Sequence, residues 1–233
     1  MTNQTSGRVR RALIIGATGA IGQAIAQELK PSHEVVCLSR SSEPALDFAD
    51  LDSIALASQA IEERYGAHAF DLIIDCAGIL HTPEWLPEKQ LKDLNWPQMQ
   101  ETFLVNTLGP ALIMKYFTSH LAKEHAVMAF LSAKVGSISD NRLGGWYSYR
   151  ASKAALNMLI KTAAIELKRT QTNTAIVAIH PGTVKSRLSR PFRGDEIGRD
   201  PKIAATEILQ VLSRVTAMQS GQFLAYDGTE LPW

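Results

Sequence analysis

Short apolar runs alternate with stretches of helical periodicity along most of the chain. Seven runs have the length and character of strands, at residues 12–15, 34–38, 45–48, 70–76, 126–131, 175–179 and 222–225. Helices are predicted between them, the longest over residues 97–123 and 149–169. Strands that alternate with helices form a parallel sheet with right-handed crossovers. The pattern predicts an α/β fold, a doubly wound (Rossmann) mostly parallel seven-stranded sheet with helices on both faces.

The first strand leads directly into a glycine-rich turn and then a helix. Residues 16–22 read Gly-Ala-Thr-Gly-Ala-Ile-Gly. In such a unit the glycines let the backbone approach a phosphate, and the helix N-terminus directs its free amides at the anion. The residues predicted to bind cofactor here are Gly16, Thr18, Gly19, Ala20, Ile21 and Gly22. A tight strand-to-helix connection without a ligand is the alternative.

Ser39 and Arg40 follow the second strand, where an acidic residue would bind the ribose 2′-hydroxyl of NAD. No acidic residue is present at this place. A hydroxyl and a guanidinium group can instead hold a 2′-phosphate. The pattern therefore favours NADP(H) over NAD(H), although a loop arginine is ordinarily only solvated.

Tyr149 and Lys153 lie four residues apart at the start of the last long helix. Residues four apart project from one face of a helix, so the phenol and the ammonium group are expected to lie side by side. A free tyrosine titrates near ~10, and a neighbouring positive charge lowers its pKa. The spacing predicts a general acid/base at Tyr149. The same pair also arises by chance on solvated helices, so its meaning depends on the rest of the chain.

Pro110 interrupts the helix predicted over residues 97–123. Proline has no amide hydrogen, so the carbonyl of Asn106, four residues earlier, loses its helical partner. A buried carbonyl without a partner needs water or a side chain. An ordinary kink is the alternative explanation.

Further candidates follow the strand ends, where doubly wound sheets bind their ligands. The candidates at these ends are Cys76, Ala77, Gly78, Ser132, Pro181, Gly182, Thr183 and Val184. His180, which precedes a proline at a strand end, is interpreted as structural rather than catalytic. Residues 79–96 are predicted to form an irregular loop with a short helical turn, and residues 185–200 a mobile flap.

Composition limits the remaining possibilities. A chain of 233 residues that is 45% hydrophobic is expected to form a single domain over residues 11–233, after a flexible segment over residues 1–10. A net charge of +1 offers no field for nucleic acid or an anionic membrane, and no apolar run is long enough to span a bilayer. Without a signal-peptide core, the expected location is the cytoplasm. Cys37 and Cys76 are expected to be reduced core thiols, and no metal site is expected.

From residue 12 to residue 228, the chain resembles the short-chain dehydrogenase/reductase family. The motifs that carry the resemblance are the glycine turn, Asp47, Asp75-Cys76-Ala77-Gly78 where the family has Asn-Asn-Ala-Gly, Val105-Asn106, residues 149–153 and residues 181–184. Gly-Ser-Ile followed by Gly-Gly-Trp-Tyr-Ser-Tyr-Arg-Ala-Ser-Lys is similar to the branch of C-factor-like proteins and sniffer-like carbonyl reductases.

The resemblance implies an NADP(H)-dependent oxidoreductase acting on a small carbonyl or alcohol, with Tyr149 exchanging a proton with the substrate oxygen. Lys153 would lower the tyrosine pKa and hold the nicotinamide ribose, and the Asn106 carbonyl would bind a water that links Lys153 to solvent. Asp47 and Phe48 would flank the adenine. Ala77 and Gly78 would lie near the adenosine ribose, and the motif at residues 181–184 would contact the nicotinamide. Family members usually pair their two long helices, which implies a homodimer or homotetramer.

Two positions depart from the family pattern. Ala133 occupies the slot of the family's catalytic serine, which leaves Ser132, Ser137 and Ser139 as alternatives, with Ser132 favoured because it begins at the sheet edge. Ala20 stands where many members have glycine. A cofactor-binding regulatory or signalling protein with weak or lost catalysis therefore stays open as a second function. A methyltransferase is a weaker third possibility because it would not need the tyrosine-lysine pair.

Overall fold

The structure is a computed structural model that describes residues 8–233. It contains a six-stranded sheet in the order β2-β1-β3-β4-β5-β6, and every neighbouring pair of strands is parallel. The strands are β1 (Arg11–Ile15), β2 (Glu34–Leu38), β3 (Leu72–Asp75), β4 (Ala126–Leu131), β5 (Thr174–His180) and β6 (Phe223–Ala225). The predicted doubly wound α/β class is confirmed.

Helices cover both faces of the sheet. They are α1 (Ala20–Leu29), α2 (Leu51–Tyr65), α3 (Trp96–Phe103), α4 (Gly109–Phe117), α5 (Tyr147–Leu167), α6 (Gly194–Ile197) and α7 (Pro201–Leu212). The apolar core on one face includes buried side chains of α2, α4 and α5, and the core on the other includes those of α1 and α7. Strand side chains alternate between the two cores: Leu13 and Ile15 face one, Ala12 and Ile14 the other. Both faces of the parallel sheet are therefore buried, as its apolar strands require.

The prediction of a seventh strand at residues 45–48 is wrong. This segment contains only an isolated bridge between Asp47 and Asp50, and Leu46 donates a backbone hydrogen bond to the Ser39 carbonyl at 2.9 Å. A parallel neighbour of β2 needs a crossover of about a dozen residues or more. Only residues 39–44 separate this segment from β2, so the chain turns back on itself instead of crossing over.

The predicted long helix is divided at its proline. A π-helical turn, Leu104–Leu108, separates α3 from α4, and the Gly109 amide donates to the Leu104 carbonyl five residues earlier. Pro110 follows at once and has no amide to donate. Such π turns inside helices are frequent at functional sites.

The predicted loop and flap contain short helical elements. A 3₁₀ turn, Leu91–Asp93, lies in the loop at residues 79–96, and the segment at residues 185–200 contains a 3₁₀ turn, Arg190–Phe192, and α6. Most of the predicted flexible N-terminal segment, residues 1–7, lies outside the described residues. No helix within residues 8–233 is both long enough and apolar enough to cross a membrane.

Candidate active site

Two adjoining cavities lie along the carboxyl ends of the strands. Their volumes are about 350 and 360 Å³, and both are lined by Cys76, Ala77 and Gly78 after β3. One of them, called the turn cavity here, is also lined by the predicted cofactor residues Gly16, Thr18, Gly19, Ser39, Arg40, Asp47 and Phe48. The other, called the tyrosine cavity, is also lined by the predicted residues Ile21, Ser132, Tyr149, Lys153, Pro181, Gly182, Thr183 and Val184. Ala20, Gly22 and Asn106 line neither.

The glycines of the turn permit close backbone packing. Gly16 has a φ of 74°, and a Cβ added to it would lie 2.8 Å from the Ala77 backbone nitrogen. A Cβ on Gly22 would lie 2.5 Å from the Gly16 carbonyl oxygen. Gly22 therefore shapes the turn without lining a cavity. Gly19 is the N-cap residue of α1, whose first residue, Ala20, fits without a glycine.

Arg40 lies exposed at the turn cavity. It forms no salt bridge and donates no side-chain hydrogen bond within the part of the chain that the structure describes. Phe48 is 6% exposed, and its ring fills the space beside Gly109, where an added Cβ would lie 2.5 Å away. The turn cavity thus combines an available cation with a packed aromatic wall.

Tyr149 and Lys153 both lie buried at the start of α5, at 9% and 3% exposure. The Lys153 ammonium donates a hydrogen bond to the Leu131 carbonyl at 2.8 Å. Burial lowers the pKa of Lys153 to about 8, although the Asp75 carboxylate acts to raise it. Burial raises the pKa of Tyr149, so the lowering expected from the helix spacing is absent in the protein alone. The phenol is therefore protonated at neutral pH.

Asp75 replaces the first asparagine of the family motif at the end of β3. It is 2% exposed, and its carboxylate accepts a hydrogen bond from the Ala77 amide at 2.9 Å. Burial raises the pKa of Asp75 to about 7, while the Ala77 hydrogen bond and the Lys153 charge act to lower it. Asp75 and Lys153 are thus two buried titratable groups that act on each other's pKa next to the cavities.

Asn106 lies in the π turn and is completely buried. Its carboxamide oxygen accepts from the Ile79 amide at 2.8 Å, and its nitrogen donates to the Ile79 carbonyl, also at 2.8 Å. The same nitrogen donates to the Ser152 hydroxyl at 3.2 Å. A Cβ added to Gly78 would lie 3.3 Å from the Asn106 side chain and 3.4 Å from the Lys153 ammonium. Asn106 therefore joins the segment after β3 to α5, next to Lys153.

The three candidate serines have different surroundings. Ser132 lines the tyrosine cavity together with Ala133, and its hydroxyl donates to the Asn157 carboxamide oxygen at 2.6 Å. The Ser137 hydroxyl accepts from the Asp140 amide at 3.2 Å, and the Ser139 hydroxyl donates to the Trp233 carbonyl at 2.7 Å. Of the three serines, only Ser132 lines the cavity beside Tyr149.

Apolar residues that sequence reasoning did not assign form the wall of the tyrosine cavity. They are Leu80, Val135, Trp146, Leu188, Phe192 and Ile197. The centre of the Trp146 ring lies 5.0 Å from that of Phe192 and 6.2 Å from that of Tyr149. These residues come from loops and from the short helical elements Lys134–Gly136, Arg190–Phe192 and Gly194–Ile197, which are too short to show periodicity. The signal in the sequence was the position of Trp146 just before the motif at residues 149–153.

His180 also lines the tyrosine cavity. Its Nδ1 atom is buried without a hydrogen-bond partner in the described chain. Burial, together with the charges of Lys134 and Arg199, lowers the pKa of His180 to about 4, while Asp227 acts to raise it. The imidazole is therefore neutral at physiological pH.

Arg199 holds the segment after β5. Its guanidinium donates to the Pro181 carbonyl at 2.5 Å, stacks 3.5 Å above the centre of the Tyr226 ring and pairs with Glu207. Its backbone amide also donates to the Thr183 carbonyl at 2.9 Å. The segment is thereby fixed along the wall of the tyrosine cavity. In residues 8–233, no group of three or more His, Cys, Asp or Glu side chains could hold a metal ion.

Comparisons with known proteins agree with this arrangement. The family model described as short chain dehydrogenase matches residues 10–197. A dehydrogenase of 1-hydroxy-2-glutathionyl-2-methyl-3-butene from Rhodococcus is 29% identical, with 95% of this chain and 98% of the relative covered. C-signal of Myxococcus xanthus is 31% identical, with 70% and 92% covered.

Solved structures have the same fold. NADPH-bound carbonyl reductase from chicken fatty liver has a TM-score of 0.82 at 27% identity, with 97% of this chain and 100% of that chain covered. The carbonyl reductase Sniffer of D. melanogaster has a TM-score of 0.84 at 23% identity over the same shares, which is a similarity of fold. The chain therefore belongs to the short-chain dehydrogenase family of oxidoreductases.

Proposed function

We propose that the protein is an NADP(H)-dependent oxidoreductase that transfers hydride between the nicotinamide and a small carbonyl or alcohol substrate. The observation that carries the proposal is the convergence of Tyr149, Lys153 and Ser132 on a cavity that adjoins the glycine turn. The two cavities adjoin at residues 76–78, so an extended dinucleotide bound across both would meet the Arg40 cation in the turn cavity and the Tyr149 phenol in the tyrosine cavity. When bound, the cofactor supplies the hydride.

Tyr149 acts in this proposal as the proton donor in carbonyl reduction. Its phenol is protonated because burial raises its pKa, which is the state that a general acid needs. Lys153 holds a positive charge near the site, and in reduction this charge stabilises the phenolate that proton transfer leaves behind. The Ser132 hydroxyl donates to the substrate oxygen as negative charge develops there. Lys153 then passes a proton to the phenolate, and a water bound by the Asn106 carbonyl links Lys153 to solvent so that this proton is replaced.

The apolar wall of the tyrosine cavity favours a substrate with an apolar body. Leu80, Val135 and Phe192 offer apolar surface beside Tyr149, while Lys134 contributes a positive charge to the same cavity. A test is NADPH oxidation by the purified protein with a panel of aldehydes and ketones of increasing apolar size. The panel includes a glutathione-conjugated alcohol with NADP⁺, since a relative acts on such a conjugate. Absence of turnover with every compound would contradict the proposed reaction.

Arg40→Ala is expected to weaken NADPH binding much more than NADH binding. The guanidinium makes a charge-assisted contact with a 2′-phosphate, and its loss costs ~1.5 to 3 kcal/mol, or roughly 10- to 150-fold in affinity. The dissociation constants of both cofactors are measured by fluorescence titration. Arg214→Ala serves as the matched control, because Arg214 is an exposed arginine just beyond α7. An equal loss for both cofactors would refute the assignment.

Carbonyl reduction is expected to slow as pH rises through about 8, where Lys153 loses its proton. Asp75→Asn keeps an acceptor for the Ala77 amide but removes the charge that raises the Lys153 pKa. The fall in kcat/KM is therefore expected to move to lower pH. The measurement is kcat/KM as a function of pH for the wild type and for Asp75→Asn. A profile that is unchanged, or that moves to higher pH, would exclude coupling between Asp75 and Lys153.

We also propose a homodimer or homotetramer that pairs α5 and the segment from α3 to α4. Large apolar side chains stay exposed on these elements, among them Trp96, Leu108, Met158 and Ile165 at 52–69% exposure. An assembly that buries these helices would cover them. Light scattering at micromolar concentration is expected to give at least twice the mass of one chain, and a monomer would count against the assembly.

A cofactor-binding regulatory or signalling protein is the second candidate function. It is supported by Ala133, which leaves the family's serine slot without a hydroxyl, and by the similarity to C-signal. The carbonyl panel separates the two functions. Tight NADPH binding without turnover of any compound would favour the second.

A further inference from the structure

The helix that carries Tyr149 receives no cap from its own sequence. α5 begins directly after Gly144, Gly145 and Trp146, which have left-handed φ angles of 64°, 64° and 53°. The N-cap residue, Trp146, offers no side-chain cap, and the first turn contains no acidic residue. The first amides of a helix have no partners within the helix and need them from elsewhere.

Glu88 supplies these partners from the loop at residues 79–96. It is 2% exposed, and its carboxylate accepts hydrogen bonds from the Ser148 amide, at 3.2 Å, and from the Ser148 hydroxyl. Its backbone carbonyl accepts from the Trp146 amide at 2.5 Å. Glu88 has no salt-bridge partner among residues 8–233. Its carboxylate instead faces the N-terminus of α5, which is the positive end of the helix dipole.

The loop that carries Glu88 is itself held on both sides. Before Glu88, the Leu86 carbonyl accepts from the buried Gln98 side chain of α3 at 2.9 Å. After it, the amides of Lys89 and Gln90 both donate to the Asp93 carboxylate at 3.1 Å. The carboxylate of Glu88 is therefore presented to α5 by a supported backbone.

We propose that Glu88 is a positioning residue for carbonyl reduction, which fixes the first turn of α5 and with it the place of the Tyr149 phenol. This rests on the proposed function. Ser148 immediately precedes Tyr149, and Trp146 is part of the apolar wall of the tyrosine cavity. A shift of the first turn would thus move both the proton donor and the substrate wall. A misplacement of ~1 Å at a reacting group can cost roughly 100-fold in rate.

The test compares Glu88→Ala with Glu88→Gln. Alanine removes both side-chain hydrogen bonds, whereas glutamine can accept from the Ser148 amide and donate to its hydroxyl, which can accept as well as donate. We expect Glu88→Ala to lower kcat roughly tenfold or more and Glu88→Gln to restore most of the rate. The NADPH dissociation constant is expected to change less than about threefold in both, because Arg40 and the glycine turn are untouched. Glu84→Ala, on the exposed part of the same loop, is the control.

Each variant is assayed well below its own melting temperature. If Glu88 only stabilises the fold, its substitution lowers the melting temperature but not the kcat of the folded protein. A wild-type kcat in Glu88→Ala would therefore overturn the proposal. Failure of Glu88→Gln to restore the rate would overturn it as well. If Glu88→Ala does not fold, Ser148→Ala replaces it, with a lower kcat expected and a wild-type kcat overturning the proposal.

Amide hydrogen exchange gives a readout that does not depend on turnover. Residues 147–150 are expected to exchange faster in Glu88→Ala than in the wild type, while the later turns of α5 keep their protection. If the wild type reduces no carbonyl, the proposed function fails, and exchange still decides whether Glu88 holds the first turn. Unchanged exchange at residues 147–150 would overturn the role of Glu88 alone.

Discussion

Tyr149→Phe is expected to lower kcat/KM for carbonyl reduction by roughly 10²- to 10⁴-fold, the usual contribution of a general acid. The substitution removes only the phenolic oxygen and leaves the ring that packs against Trp146. NADPH binding is expected to persist, because the turn cavity is unchanged. The measurement is NADPH oxidation with the best substrate from the carbonyl panel, alongside fluorescence titration of the cofactor.

Tyr147→Phe is the matched control for this substitution. Tyr147 begins the same helix but does not line the tyrosine cavity, so its loss of a hydroxyl is expected to leave the rate unchanged. Full activity of Tyr149→Phe would refute the mechanism, whatever the other variants show. Equal loss in both variants would point to damage of α5 rather than to lost proton transfer.

The site could be predicted from the sequence wherever local pattern and fold class act together. The glycine turn at residues 16–22 follows an apolar strand, and Tyr149 and Lys153 begin an apolar-periodic helix. The sequence therefore assigns the glycine turn to a strand-to-helix connection and the tyrosine-lysine pair to the start of a helix. Because parallel strands direct their carboxyl ends to one edge, residues far apart in the chain could be expected to meet there. The structure brings most of them to two adjoining cavities.

Long-range contacts could not be predicted in the same way. The run at residues 45–48 has the composition of a strand, but the short connection after β2 prevents parallel pairing. The hydrogen bonds between Glu88 and Ser148 join residues 60 positions apart, and no periodicity marks either residue. The pKa of Tyr149 shows the same limit: helix spacing placed a cation near it, but the burial that raises the pKa depends on the packed site.

The role of Ser132 depends on the orientation of one buried carboxamide. Strand side chains alternate between faces, and Ser132, which directly follows Leu131 of β4, meets Asn157 of α5. Its hydroxyl proton is directed to the Asn157 oxygen, while the Asn157 nitrogen is buried without a partner in the described residues. A half-turn of the carboxamide would place the nitrogen as donor to the Ser132 oxygen. The hydroxyl proton would then be free to face the cavity and the substrate.

Ser132→Ala is therefore expected to lower kcat/KM for carbonyl reduction by roughly 10²- to 10³-fold, the effect of removing one preorganised donor at a developing oxyanion. Ser137→Ala is the matched control, since Ser137 is equally buried but bonds to the Asp140 amide away from the cavity. Both are compared with Tyr149→Phe on the same substrate. A wild-type rate in Ser132→Ala beside an inactive Tyr149→Phe would remove Ser132 from the mechanism and leave proton transfer by Tyr149 standing. In that case Tyr149 would be the single hydroxyl that polarises the substrate oxygen. This would agree with Ala133, which leaves the family's serine slot without a hydroxyl.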